Sequence, residues 1–424
     1  MAAQAQPQLE QIAVAPEPER WSLALRVAFR FCAAYFGLYC LTTQILSSII
    51  QFVNIPNLTA LQPVRWMVTW TAEHVFHITK TLVYQGSGSG DKTFDWVLDF
   101  CVLVTALLAT VVWSALDRKR ANYRTAYKWF HLAMRLALGT QMLVYGFAKV
   151  VPAQMPFPSL TRLLEPYGNF SPMGVLWASI GASPAYEIFA GSCEAIGGML
   201  LFFPRTAFLG ALICLADLTE VFTLNMTYDV PVKLFSFHLI LICLLLLAPD
   251  WRRITSFVFQ RASAASESLE LFASKRANRI SVGVQAIFGL TMIFAHGYYS
   301  WQGWHTFGGG APKPALYGIW NVDGDNSAWR RVVFERFPVM YLQHGDDPFV
   351  QYSIAVDAQK NTIAIVKPAS VLNSLSYKRE GNELSIDGML TGQPLHLRLH
   401  LFDRNSFLLV NRGFHWIQEF PFNR

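Results

Sequence analysis

The sequence predicts an α-helical membrane bundle of about seven transmembrane helices, followed by a C-terminal all-β antiparallel barrel or sandwich domain. Three observations carry this. The 424 residues are 53% hydrophobic and only 15% charged, with a mean hydropathy of +0.30, against about 25% charged residues in ordinary soluble domains. The apolar residues gather in runs of spanning length. After Trp304 the pattern changes to period-two alternation broken by turn residues.

In chain order, residues 1–20 are polar and rich in Gln, Pro and Ala, as expected of a disordered tail. The first apolar run is too long for a signal h-region, so an uncleaved anchor is expected. Runs at about 28–50, 95–116, 129–151, 185–204, 206–224, 232–249 and 281–299 are the seven candidate spans. Residues 21–128 hold two of them around a long insertion. Residues 129–250 hold four, 251–280 form a connection, 281–300 the seventh span, 301–311 a linker and 312–424 the β domain. Fifteen basic residues fall on one side of these runs and six on the other. The N-terminus is therefore expected in the cytoplasm and the β domain outside it. The formal charge of +6 sits mainly beside spans, which argues against nucleic acid and for the lipid bilayer as partner.

The insertion contains an aromatic, helix-like stretch, "VRWMVTWTAEHVFHITKTLVY", and then "GSGSGDKT". The latter lacks the Gly-Lys-Ser/Thr ending of a phosphate loop and reads as a flexible outer loop. Residues 152–184 carry six prolines and suit a broken cap. The tail is expected to form strands in "LYGIWNV", "RRVVFER", "QYSIAVD", "TIAIVKP", "SLSYKRE", "ELSIDGML", "PLHLRLHLF" and "FLLVNRG". Cys32, Cys40, Cys101, Cys193, Cys214 and Cys243 lie in or beside apolar runs and read as small hydrophobes.

The chemistry-bearing residues lie in the spans. Glu187 and Glu194 are seven apart, within about 20° on one helix face. Each costs roughly 2.5–3.5 kcal/mol near the bilayer midplane. Asp217 and Glu220 follow on the next span and His238 on the sixth. His131, Arg135 and Lys149 share a stripe on the third. Two readings stay open. In one, the groups pair to hold helices in register, Lys149 with Glu187 and Arg135 with a deeper acid. In the other they line a polar pocket or proton path. Four acids against two cations leave room for one carboxyl to stay protonated. No metal site is assigned; the weak candidates are His74 and His77, with Glu73, on one helix face. His396, Arg398 and His400 share a solvated or cavity-lining strand face, and no catalytic motif is present.

Residues 129–250 resemble the DoxX-like family, relatives of the small membrane subunit of thiosulfate:quinone oxidoreductase. The resemblance rests on "RLALG" (Arg135–Gly139), "YGFAK" (Tyr145–Lys149), "EAIGGMLLF" (Glu194–Phe202) and "PRTAFLGALI". The "GSGSGD" loop and "LYGIWNV" look like longer bacterial members. Tyr145 stands where relatives often carry a histidine. The resemblance implies a four-helix membrane core and an accessory inner-membrane subunit in redox or envelope metabolism, rather than a stand-alone enzyme. It also implies a quinone as the candidate cofactor and a membrane or extracytoplasmic redox protein as partner. A non-catalytic scaffold whose β domain binds an envelope partner, and a proton-coupled small-solute carrier, remain the alternatives.

Overall fold

The computed structural model describes residues 20–50, 58–259, 270–324, 328–367 and 374–423. The polar stretch 1–19 and residues 260–269 of the connection before the last span lie outside them. The helices are α1 (Leu23–Thr42), α2 (Gln44–Ile49), α3 (Gln62–His74), α4 (Thr93–Leu116), α5 (Arg124–Val150) and α6 (Leu160–Leu164). They continue with α7 (Pro172–Gly181), α8 (Pro184–Leu201), α9 (Ala207–Thr227), α10 (Lys233–Leu247), α11 (Trp251–Val258), α12 (Lys275–Thr306) and α13 (Leu408–Asn411).

Every apolar run is helical, with shifted ends. The first breaks at Thr43, whose extended backbone separates α1 from α2. The last reaches Thr306, so the linker begins later than expected. Among the described residues, five stretches are long and apolar enough to cross a membrane: Leu23–Thr42, Thr93–Leu116, Ala207–Thr227, Lys233–Ser256 and Lys275–Thr306. The expected count of seven is not confirmed: α5 carries Arg124, Lys128, Arg135 and Lys149, and α8 places two glutamates in 18 residues.

The chain divides into two compact units. One comprises the chain up to Gln141, Leu200–Leu215 and Pro231–Phe288; the other comprises Met142–Met199, Ala216–Val230 and Gly289 onward. In the first, α1 packs along α4 and α3 on α4. Arg30, 1% exposed on α1, donates to the Tyr123 hydroxyl (2.9 Å), Ser114 Oγ (2.8 Å) and the Asp117 carbonyl (2.8 Å). A buried guanidinium is tolerable only with such a complete set of acceptors. The "GSGSGDKT" stretch is exposed at residues 86–88 and anchored at its end. Asp91 accepts from the backbone N–H of Lys233 and Leu234, both at 2.9 Å, and so caps α10 from a distant loop. Two residues later α4 starts, with a reciprocal cap between Lys92 and Asp95.

In the second unit the tail closes into an eight-stranded antiparallel barrel. Its strands are β1 (Gly318–Val322), β2 (Trp329–Phe334), β3 (Val339–His344), β4 (Val350–Asp357), β5 (Thr362–Lys367), β6 (Ser374–Glu380), β7 (Glu383–Leu390) and β8 (Gln393–Leu401). Each pairs with its neighbour, and β1 pairs with β8 to close the ring. Alternation sends one side chain of each pair inward, where Trp320, Phe334, Tyr352, Ile363, Leu375 and Leu399 belong to one apolar cluster. A barrel of eight strands is filled by such side chains.

Two strand expectations need correction. "VMYLQH" forms β3 although it was not anticipated, and "FLLVNRG" is not a strand but contains α13. By Leu401 the ring is already closed through β1, so no edge remains for another strand. On the outer face of the barrel, Leu160 of α6 packs with Ile319 and Val333. The glycine-rich linker is also packed: a Cβ at Gly310 would lie 2.3 Å from the Trp304 ring, so only glycine lets the chain fold over that indole.

Candidate functional site

A buried ion pair of the second unit rests on a close approach of α5 and α8. A Cβ on Gly146 would come 2.7 Å from the Ala195 nitrogen, and one on Gly191 would come 2.6 Å from the Gly146 carbonyl oxygen. Small residues here let the two backbones touch, as at close-packed membrane helix pairs. That contact sets Lys149 opposite Glu194, with Nζ 2.7 Å from both carboxylate oxygens and the two side chains 9% and 4% exposed. The expected partner, Glu187, is not the one used. Glu187 is 1% exposed and accepts the backbone N–H of Met155 at 2.9 Å, tying the loop after α5 to the first turn of α8.

Arg135 also departs from expectation, since its hydrogen bonds run to neutral oxygens rather than to an acid. It donates to the Leu201 carbonyl (3.0 and 2.8 Å) and to Gln285 Oε1 (3.3 Å), where the end of α8 leaves an orphan acceptor.

Asp217 lies within electrostatic range of Glu194, Lys149 and Glu220, and its Oδ2 is buried with no hydrogen-bond partner among the described residues. Glu220 itself is exposed. The Tyr145 ring stands 5.8 Å from the Lys149 ammonium. Both Glu194 oxygens contact the Lys149 ammonium, whereas the buried Asp217 Oδ2 accepts no hydrogen bond among the described residues and so has capacity to hold a proton or a polar ligand atom.

His238, expected beside these acids, has other partners. Its Nε2 is 2.7 Å from the Tyr35 hydroxyl and 3.4 Å from Asp99 Oδ1, its ring stacks on Tyr39 at 4.0 Å, and its Nδ1 is 2.7 Å from the Leu234 carbonyl. Sequence reasoning missed Tyr35 and Asp99. The signal was available for Asp99, an acid one turn beyond the capping Asp95 inside the apolar run of α4.

The histidine pair of the insertion does not share a helix face. His74 ends α3, with Nδ1 3.0 Å from the Trp70 carbonyl, and His77 lies beyond it at φ 54°. No group of three or more His, Cys, Asp or Glu able to hold a metal ion occurs among the described residues. On β8 the exposed His396 and His400 contact Asp387 (2.9 Å) and Asp323 (2.5 Å), so this strand face is solvated. A cleft of about 220 Å³ lies between residues 156–161, 307–309 and the barrel. Within it, Glu335 accepts from the Thr161 N–H (3.0 Å) and hydroxyl (3.2 Å).

No family model matches the chain, and no solved structure matches it. A stretch of 119 residues, 28% of this chain, is 36% identical to the uncharacterized protein YwoB of Bacillus subtilis (strain 168), and the match covers 75% of that protein's length. Over that stretch the chain belongs to the same family as YwoB.

Proposed function

We propose that the chain is a DoxX-like accessory subunit of a bacterial inner membrane, serving redox or envelope metabolism, with Lys149, Glu194 and Asp217 forming a polar site that handles protons for a quinone. Its N-terminus would lie in the cytoplasm and its barrel outside. Five helices among the described residues, each long and apolar enough to cross a membrane, fit a membrane protein. The observation that carries the finer reading is the buried, unpartnered Asp217 oxygen beside an ion pair whose ammonium is already shared by Glu194. Quinone reduction takes up protons along with electrons, and a carboxyl with spare bonding capacity inside a span can deliver one.

Purification of the full chain from its native membrane in lipid nanodiscs, followed by solvent extraction, tests this. The expected result is bound quinone together with a co-purifying dehydrogenase, with quinone content reduced at least tenfold in Asp217→Asn. Intact wild-type protein holding neither quinone nor a redox partner would overturn the proposal.

One observation favours a second reading, a scaffold whose outer domain holds an envelope partner. Phe414, Trp416, Ile417 and Phe420, beyond the barrel, are 76–90% exposed. Recovery of a non-redox envelope protein that is lost on Trp416→Ser would favour it.

A further inference from the structure

We propose that Tyr35, Asp99 and His238 form a proton-binding site, separate from the one above, in which a single exchangeable proton is held either as the Asp99 carboxylic acid or as the His238 imidazolium.

The short contacts in the cluster call for more hydrogens than its neutral-imidazole, ionised-carboxylate form holds. The His238 Nδ1 lies 2.7 Å from the Leu234 carbonyl oxygen. A carbonyl only accepts, so Nδ1 carries its hydrogen in every state. This leaves two short contacts to fill: Tyr35 Oη with His238 Nε2 at 2.7 Å, and Tyr35 Oη with Asp99 Oδ1 at 3.0 Å. Each needs one hydrogen between its heavy atoms. With a neutral imidazole and an ionised carboxylate, the Tyr35 hydroxyl supplies one hydrogen for two contacts, and the other contact sets lone pair against lone pair. A buried polar contact left that way is costly. One further proton resolves it in two equivalent ways. Either His238 Nε2–H donates to Tyr35 and Tyr35 donates to Asp99, or the Asp99 hydroxyl donates to Tyr35 and Tyr35 donates to Nε2.

The two forms interconvert in a balanced step. The Nε2–H proton passes to Tyr35 Oη as the tyrosine's own proton passes to Asp99 Oδ1, and the opposite charges on imidazolium and carboxylate vanish together. The ends differ in access, the Asp99 side chain being 19% exposed and that of His238 2%. Asp99 is therefore the open end and His238 the closed one.

The other charged groups on α1, α3, α4 and α10 have partners of their own or are exposed, and the α1 thiols of Cys32 and Cys40 are half-buried and free. Asp91 pairs with Lys233 (3.8 Å) and Asp95 with Lys92 (2.6 Å). Arg30 is taken up by Tyr123, Ser114 and Asp117, while Arg26 donates to the Arg120 carbonyl at 2.7 Å. On α3, Arg65 donates to the Thr59 carbonyl (3.0 Å), His74 contacts the Trp70 carbonyl and Glu73 is exposed. Cys101 contacts Thr71 (3.4 Å) and Tyr39 stacks on the imidazole.

The test uses the full chain in phosphatidylcholine nanodiscs, with nitrogen-15 histidine NMR and infrared spectroscopy at neutral pH. The expected result is either a doubly protonated His238 or a protonated carboxyl band that disappears in Asp99→Asn. In the first case Asp99→Asn removes the counter-charge and converts His238 to its neutral tautomer. A neutral His238 in the wild type, together with no carboxyl band sensitive to Asp99→Asn, would overturn the proposal. The wild-type measurement stands even if His238→Gln, used to assign the signal, lowers yield. Both readouts report on Asp99 and His238 alone, so the outcome is independent of any quinone at Asp217.

Discussion

The barrel and the helical region solve burial in opposite ways. The cluster inside the barrel is apolar or aromatic throughout, and its largest member, Trp320, is fully buried with its indole N–H donating to the Leu316 carbonyl at 2.9 Å. The helices instead bury Arg30, Arg135, Lys149, Glu187, Glu194 and His238. An apolar core gains from every buried side chain. A buried ion pair roughly breaks even against an apolar replacement, so its presence points to orientation or chemistry rather than stability.

Trp320→Ala gives the largest expected effect. It should cost about 3–5 kcal/mol, as large-to-small core changes do, and lower the denaturation midpoint of the barrel in the detergent-solubilised chain. No second substitution among the barrel's neighbours should restore it. Lys149→Met should cost a comparable or slightly smaller amount, about 3–5 kcal/mol, by leaving the Glu194 carboxylate uncompensated, seen as reduced membrane yield. Here a partner change should help: Lys149→Met with Glu194→Gln should return yield toward the wild-type level. If the double variant stays as poor as the single, the helices hold this pair for stability after all, and the contrast with the barrel fails.

Asp91→Ala should be milder, about 0.5–2 kcal/mol, the usual loss on removing a helix N-cap. It should appear as faster amide hydrogen exchange in the first turn of α10 while the barrel stays unchanged. The smallest effect concerns Asp117, just past α4. The Tyr123 hydroxyl, donating at 2.9 Å, and then Arg120 hold its carboxyl below the usual carboxylate range. A depressed folded-state value means stabilisation that is present above the ordinary carboxylate range and lost as pH falls through the lowered one. Asp117→Asn should therefore slightly lower the neutral plateau of a melting-temperature profile and flatten its acid limb, converging with the wild type at low pH.

The barrel was the more legible half because strand alternation is local. Seven of the eight anticipated segments became strands, and β3 was missed because Pro338 obscures its start. "FLLVNRG" alternates well enough for a strand, but closure between β1 and β8 is a long-range event that no window of sequence contains. In the helices, existence was legible from apolar runs, whereas partners were not. Helical phase put Glu187 and Glu194 on one face correctly. Which of them meets Lys149 depends on the Gly146–Gly191 approach, which sets the axial offset of two helices. Asp99 was less legible for a different reason: it lies one turn past Asp95, a helix-start acid, while its partners Tyr35 and His238 come from distant helices.

The turn at Asp91–Asp95 has a mechanical consequence. Because Asp91 caps α10 while Lys92 and Asp95 start α4, one short segment fixes where both helices begin. From that common level Asp99 and His238 lie about 9 and 8 Å along their helices, at 1.5 Å per residue, which brings them abreast. A bilayer of altered thickness normally tilts its helices independently. These two are clamped at one end, so a thicker or thinner membrane must tilt them as a couple, and the distance between carboxylate and imidazole should be insensitive to lipid chain length.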